Sequence, residues 1–285
     1  MIAAFPSKNG SFRFWPLIVA GAFALSACGS DEPYVGDDVK PRFVSLNPCT
    51  DAILVEVADP DQVLALSHYS VDPQSSSIEP AIAAQFPVTG GTVEEVAALN
   101  PDFVLAGTFL APATRGALEN MGFAVATFGI ASDVGESAVQ VREIARLAGH
   151  ADRGEALVAR IDSSLAELDA VSMGRKNQSA VLWQPGQIVP GEQTLVAQLM
   201  QRAGFASHSA ARGLGQADHV ALEQMLADPP EVLLLAGSEQ GQRHPALESL
   251  AHTQVEHFDP SLLYCAGPTI IRAADRLREI RRAGA

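Results

Sequence analysis

The sequence predicts an α/β protein made of two lobes with parallel sheets, joined by a single long helix. Three observations carry that prediction. Short apolar runs alternate with helical patterns from residue 42 to the end, the order expected of doubly wound parallel sheets. One uninterrupted amphipathic stretch, 151–172, divides the chain near its middle. A helix–turn–strand segment before that stretch also recurs after it, since 94–106 (EEVAALNPDFVLA) aligns without gaps on 223–235 (EQMLADPPEVLLL).

The dividing stretch has apolar residues at Leu157, Val158, Ile161, Leu165, Leu168 and Val171, the spacing of one buried helical stripe. It would reach roughly 33 Å at about 1.5 Å per residue. Between two α/β units such a helix is a hinge with little give. The alternative is an ordinary crossover helix inside one large sheet, and the internal repeat favours two lobes.

The elements follow in order. Arg42–Pro48 reads as a strand entering an Asn-Pro turn, Thr50–Ala58 as a helix, and Val63–Tyr69 as a second strand ending in a polar, aromatic loop. Ser70–Pro80 reads as loop, and Phe86–Gly91 as a strand into a Gly-Gly turn. Thr92-Val-Glu-Glu95 opens a helix with a capping-box pattern. Asp102–Gly107 is a nearly continuous apolar run, as a parallel strand covered on both faces should be. A helix over 113–121, a strand over 123–128 and a helix over 134–148 complete the first lobe. The second lobe reads as strand 180–185, helix 192–203, helix 220–227, strand 231–237, strand 255–258 and a terminal helix over 268–282.

The chain has 285 residues, 47% of them hydrophobic, enough for two ordinary cores. Its net charge is −14; without residues 1–27, which hold Lys8 and Arg13 and no acid, it is −16, from 17 basic and 33 acidic residues. A surface that acidic repels nucleic acid and anionic headgroups, so nucleic-acid binding is set aside. The N-terminus carries a basic segment, then the apolar run Phe14–Leu25, too short to span a bilayer. That pattern predicts a secretory signal over 1–27. Leu25-Ser26-Ala27-Cys28 resembles the bacterial lipobox, which implies a lipid anchor on Cys28. The acidic stretch 28–41 would then be a tether of roughly 20 Å as a coil. Gly29 follows Cys28, which leaves the choice of inner or outer membrane open. The remaining divisions are a lobe over 42–150, the inter-lobe helix over 151–173 and a lobe over 174–285.

With Cys28 acylated, Cys49 and Cys265 form an even pair in an exported chain. Both a disulfide and a pair of thiols facing the ligand site are open. The sequence contains no G-x-S-x-G elbow, no Walker loop and no H-E-x-x-H, and its seven histidines show no ligand spacing. In parallel α/β sheets ligands bind beyond the carboxyl ends of the strands, and two facing lobes make one cleft from both sets of loops. The expected lining is Asn47, Pro48, Thr50, His68, Tyr69, Thr108 and Phe109 from the first lobe. From the second it is Trp183, Gln184, Gln187, Ser238, Leu263 and Tyr264. Four aromatics with polar rims suit a large planar or cage-like ligand. A tricarboxylate or catecholate chelate would want an Arg cluster, which these loops lack.

RFVSLNPCTDAILVEVADPDQVLALSHYSVDP, the Gly90-Gly91 turn, VEEVAALNPDFVLAG and FAVATFG resemble the substrate-binding proteins of iron-siderophore and vitamin B12 ABC importers. So do AVLWQPG, LEQMLADPPEVLLLAG and GPTIIRAADRLREI. The likeness runs from Arg42 to the end, in order and spacing rather than in one motif. It implies two Rossmann-like lobes of the class III periplasmic-binding-protein type, small closure motion, no catalysis, no intrinsic cofactor and a monomer. It implies a periplasmic location and an inner-membrane ABC permease with its cytoplasmic ATPase as partner. The positions matching the family's docking glutamates are Glu94 and Glu223, the residues heading the internal repeat. A corrinoid is the expected ligand, with a ferric siderophore next and haem third. The Cys49/Cys265 pair is outside the family's general pattern. Two alternatives come from other classes. An exported α/β enzyme such as a lipoprotein hydrolase would need a nucleophile paired with a base. A carrier of bare Zn or Mn would need converging His and acid side chains.

Overall fold

The computed structural model describes residues 40–73 and 75–284; the expected signal segment, Cys28 and nearly all of the tether lie outside them. The first lobe runs β1 (Phe43–Ser45), α1 (Pro48–Val57), β2 (Val63–Ser67), α2 (Pro80–Ala83), β3 (Val88–Thr89) and α3 (Val93–Leu99). It continues through β4 (Phe103–Gly107), α4 (Pro112–Asn120), β5 (Ala124–Phe128) and α5 (Val134–Leu147). Then come α6 (Ala151–Ser172) and the second lobe: β6 (Gln178–Trp183), α7 (Leu195–Arg202), β7 (Phe205–Ser207), α8 (Leu222–Ala227), β8 (Val232–Leu235), β9 (Gln254–His257) and α9 (Thr269–Ala283).

The strands form two separate sheets, ordered β3-β2-β1-β4-β5 and β7-β6-β8-β9. Every pairing within them is parallel. Strands β6, β7, β8 and β9 take the places of β1, β2, β4 and β5, and the described residues hold no counterpart of β3. The repeated segment therefore means something physical: α3–β4 and α8–β8 fill the same slot in the two lobes.

Alternation along the strands sorts their side chains onto two covered faces. Phe43 and Leu105 point into an inner core shared with α1, α5 and α6, while Val44 and Val104 meet Val96 and Leu118 on the outer face. In the second lobe Ala180 and Leu182 face inward, and Val181 and Trp183 pack outward against Val220, Met225 and Leu233. The inner core is continuous between the lobes. It runs through Leu157, Ile161, Leu165 and Leu168 of α6 and on to Ile270, Ala274 and Leu277 of α9. The long helix is thus the middle of a helical floor under both sheets, and its buried stripe is the one its periodicity predicts.

Local starts and stops follow ordinary chemistry. Thr92 caps α3 and Glu95 returns the bond to its backbone, completing the capping box. Asn47 caps α1 two residues earlier than the sequence pattern suggests, because Pro48 is preorganised for the first helical position. Helix α7 begins at Leu195 with Thr194 as its cap, not at Glu192, and 191–194 forms a turn closed by Thr194 N–H donating to the Gly191 carbonyl at 3.2 Å. The short α2 and β7 lie in stretches to which the sequence pattern assigns no helix or strand.

Candidate ligand-binding cleft

Beyond the carboxyl ends of both sheets lies a cavity of about 820 Å³, lined by residues of both lobes. In the first lobe its wall sits where the strand order reverses, between β1 and β4. Asn47 follows β1 and Thr108 and Phe109 follow β4, all three on the lining, as the switch-point rule requires. Asn47 has a structural task as well, since its Oδ1 accepts the N–H groups of Cys49 (2.8 Å) and Thr50 (3.3 Å). Thr50 borders the cavity but is buried. Its hydroxyl pairs with Ser45 Oγ at 2.7 Å and donates to the Asn47 carbonyl at 2.9 Å, which leaves it little to offer a ligand.

Pro48, His68 and Tyr69 line a second cavity of about 320 Å³ in the first lobe, which shares Asn47, Gly107 and Phe109 with the main one. The rings of His68 and Tyr69 lie against each other with centroids 4.0 Å apart. Their turn, 68–71, is held by Asp51 from below. The Asp51 carboxylate accepts the Ser67 N–H at 3.1 Å and the hydroxyls of Ser67 and Ser70. Asp51 is wholly buried with no cation among these partners. Burial pushes its pKa up to about 6, against the opposing pull of the Ser45, Ser67 and Ser70 hydroxyls.

The second lobe departs from expectation. Gln184, Leu263 and Tyr264 reach the cavity. Trp183 does not: it is fully buried in the outer core, and its indole N–H donates to the Val220 carbonyl at 2.9 Å. Gln187 and Ser238 are exposed and lie outside the lining. The reason is that the loop after β8 folds back onto its own lobe. Gln242 donates to the Trp183 carbonyl at 2.8 Å and accepts from Glu239 N–H, while the Glu239 carboxylate accepts Gly186 N–H at 2.7 Å. Gln187 lies against Gly241 in that same fold-back.

In their place the wall is built by 190–196 and 214–216. These two segments touch backbone to backbone at Gly191, where an added Cβ would come within 2.9 Å of the Gln216 nitrogen. Gly191 N–H also donates to Gln216 Oε1 at 2.9 Å. Sequence reasoning missed Ile130, Gln140, Glu192, Gln193 and Gln216 as lining residues. The Pro190-Gly191 pair and the Gly213–Gly215 stretch were the signals that could have marked those loops.

Cys49 and Cys265 both border the cavity and are joined in a disulfide, with Cα atoms 4.9 Å apart. The bond crosses from the first lobe to the last loop of the second, and it removes both sulfurs as free nucleophiles. Around it the C-terminal segment is bound to the first lobe. Ser77 Oγ donates to the Ser261 carbonyl (3.0 Å), Gly267 N–H to Ser137 Oγ (2.9 Å) and Arg272 to the Ser77 carbonyl (3.0 Å), and Arg272 pairs with Glu79 at 3.0 Å. Tyr264 sits inside this strap. Glu94 and Glu223 are both exposed, each in the first turn of a short helix. Because α3 and α8 each run back toward the start of the next strand, both glutamates lie at the carboxyl edge of their sheets, the edge that carries the cleft. Among the described residues no three His, Cys, Asp or Glu side chains group so as to hold a bare ion. No described helix is long and apolar enough to cross a membrane.

Two parallel-sheet lobes over a helical floor, with one cavity between facing loops, define a two-lobed cleft binder. A periplasmic binding protein family model matches residues 43–255. The chain belongs to that family. Solved structures share the fold. The apo periplasmic heme-binding protein RhuT from Roseiflexus sp. RS-1 is 19% identical with a TM-score of 0.70, covering 86% of this chain and 99% of its own. The periplasmic vitamin B12 binding protein BtuF of Vibrio cholerae is 16% identical at 0.65, covering 86% and 98%. A possible iron-binding periplasmic solute-binding protein from Staphylococcus epidermidis ATCC 12228 is 16% identical at 0.69, covering 85% and 98%. No curated protein matches the sequence.

Proposed function

We infer that this protein is the extracytoplasmic solute-binding component of an ABC importer, tethered through a lipid on Cys28. It would capture a large metal chelate between its lobes and hand it to an inner-membrane permease driven by a cytoplasmic ATPase. The observation that carries the reading is the inter-lobe cavity of about 820 Å³, a size suited to a bulky small molecule. Its lining joins the exposed rings of Phe109 and Tyr264 to amide and hydroxyl groups. The heme-binding and vitamin B12 binding proteins named above support the chelate reading. A corrinoid fits the arginine-free lining best and a ferric siderophore follows.

The shared helical floor supports a mostly preformed site, which limits the ordering cost of binding. Calorimetric titration with cyanocobalamin, a ferric hydroxamate, a ferric catecholate and haem should return micromolar or tighter binding for one of them. Binding of none would end the reading. Glu94 and Glu223 are the permease-docking residues in this account. Charge reversal at both (Glu94→Arg with Glu223→Arg) should abolish uptake by cells and leave affinity in solution unchanged. A loss of affinity instead would make them cleft residues.

A further inference from the structure

The cleft carries a marked charge asymmetry. Among the described residues, the main cavity is lined by no Lys, Arg or His, and Glu192 is its single charged residue. Glu192 is exposed and lies in the 190–193 loop that precedes α7. Its carboxylate has no hydrogen-bond or ion-pair partner among the described residues. The same holds for the side chains of Thr108, Gln184, Gln193 and Tyr264 around the cavity. Three further amides there are engaged at one end only, Gln140 donating to the Gly129 carbonyl, Gln216 accepting from Gly191 and Asn47 accepting from Cys49 and Thr50. What the cleft offers a ligand is therefore amide and hydroxyl groups and one carboxylate. The hydroxyls and amides can both donate and accept. The carboxylate can only accept, and nothing nearby neutralises it.

We propose that Glu192 is the charge filter of this cleft, favouring chelates that present ammonium or N–H donors to the second lobe and rejecting those that carry carboxylates or net negative charge. The proposal rests on reading the cavity as the ligand site and sharpens it to a chemical class. An anionic ligand would enter facing an unpaired carboxylate, with no cation on the lining to compensate. Rejection of the wrong ligand by an unpaired like charge is an economical route to specificity. Because Glu192 is exposed, the effect must weaken as salt rises.

The test is a charge series within each chelate class, titrated calorimetrically into the purified protein and into E192Q. One series is a neutral ferric trihydroxamate, an amine-bearing cationic trihydroxamate and a carboxylate-bearing anionic trihydroxamate. The other is cyanocobalamin and its amide-hydrolysed carboxylates. For whichever class binds, each added negative charge should weaken wild-type affinity by roughly tenfold, or about 1.4 kcal/mol. E192Q should collapse that gap to within about twofold, strengthening the anionic members and weakening the cationic one, with the neutral member changing less than either, and high salt should do part of the same. Since Glu192 supports no internal bond, the variant keeps the fold, which an unchanged melting temperature verifies. Equal wild-type affinity across the series, or an E192Q effect shared by neutral and charged members alike, overturns the filter and leaves the cleft reading intact. Failure of every chelate to bind overturns the cleft reading and the filter together.

Discussion

The two lobes share one wiring plan and use their carboxyl edges differently. In the first lobe the loops after β1, β2 and β4 sit where the plan puts them, and a buried carboxylate, Asp51, fastens the turn bearing His68 and Tyr69. In the second lobe the loop after β8 folds back to cover Trp183, and the ligand wall passes to 190–196 and 214–216. The last loop of the second lobe is then fastened to the first by the Cys49–Cys265 disulfide and four polar contacts. Two copies of one topology have become a fixed jaw that includes Tyr264 and a separately supported jaw that includes Glu192. The fold sets where a cleft can be; the loops decide which residues own it.

The largest test of that division is to cut the strap. Replacing both cysteines (C49S with C265S) should cost about 2–4 kcal/mol of stability, the usual worth of a native disulfide closing a long loop. Denaturant unfolding of oxidised, reduced and substituted protein would measure it. Hydrogen exchange should speed up most at 261–268, where local opening adds to the global loss, while β1 and β4 speed up by no more than the global loss of stability. Equal acceleration at 261–268 and in those strands would mean that the disulfide acts on the fold as a whole, and the two-jaw contrast would fail.

These distinctions were legible in the sequence to different degrees, for physical reasons. Helix α6 was readable to its ends, because a long amphipathic stripe between Gly149 and a polar turn has one solution. The lobes were readable from the 94–106/223–235 repeat, since local helix–turn–strand grammar is encoded locally. Trp183 was misread because an apolar run such as Ala180–Trp183 does not say which parity faces the ligand. The register of β6 puts Trp183 with Val181 on the outer face. Glu192 was hidden inside a helical pattern whose first turn gives way to Thr194, a better cap. The contact of Gly191 with Gln216 is a tertiary event that no local pattern announces. Cys49 and Cys265 could be counted as a pair, and only the fold brings residues 216 apart in sequence to 4.9 Å.

A second, somewhat smaller effect belongs to the fixed jaw alone. Asp51 has a folded pKa of about 6 against an ordinary 3.8, so between those values the folded protein holds a proton that the unfolded chain has released. Stability must therefore fall as pH rises through that window, by up to about 3 kcal/mol for a two-unit shift. Asp59 works in the opposite sense. Lys40 and Arg153 hold its carboxyl well below the usual range, and its contribution is lost as pH falls. Comparing wild type with D51N isolates the buried group. The difference between them should change steeply between about pH 4 and pH 6 and be flat above about pH 7. A constant difference across that range would mean that Asp51 does not titrate there. Because its serines hold the His68–Tyr69 turn, D51N should also loosen exchange at 67–71 and leave 190–196 untouched.

The smallest effect examines how the strap is shared between its covalent and ionic parts. Arg272 and Glu79 form an ion pair that is open to solvent, with side chains 35% and 56% exposed, and exposed pairs are usually worth about 0–1 kcal/mol. In the oxidised protein, where Cys265 is already bonded to Cys49, E79A should cost no more than about 0.5 kcal/mol. In the C49S/C265S background the same substitution should cost more, because the polar ties from the segment to the first lobe named above are then those to Ser77, Ser137 and Glu79 alone. A double-mutant cycle reads the coupling directly. Positive coupling means that the disulfide and the ion pair restrain one motion, the lifting of 261–272 from the first lobe. Simple additivity would mean that Glu79 only orients Arg272 toward the Ser77 carbonyl, and the fixed jaw would then end at the disulfide and not at α9.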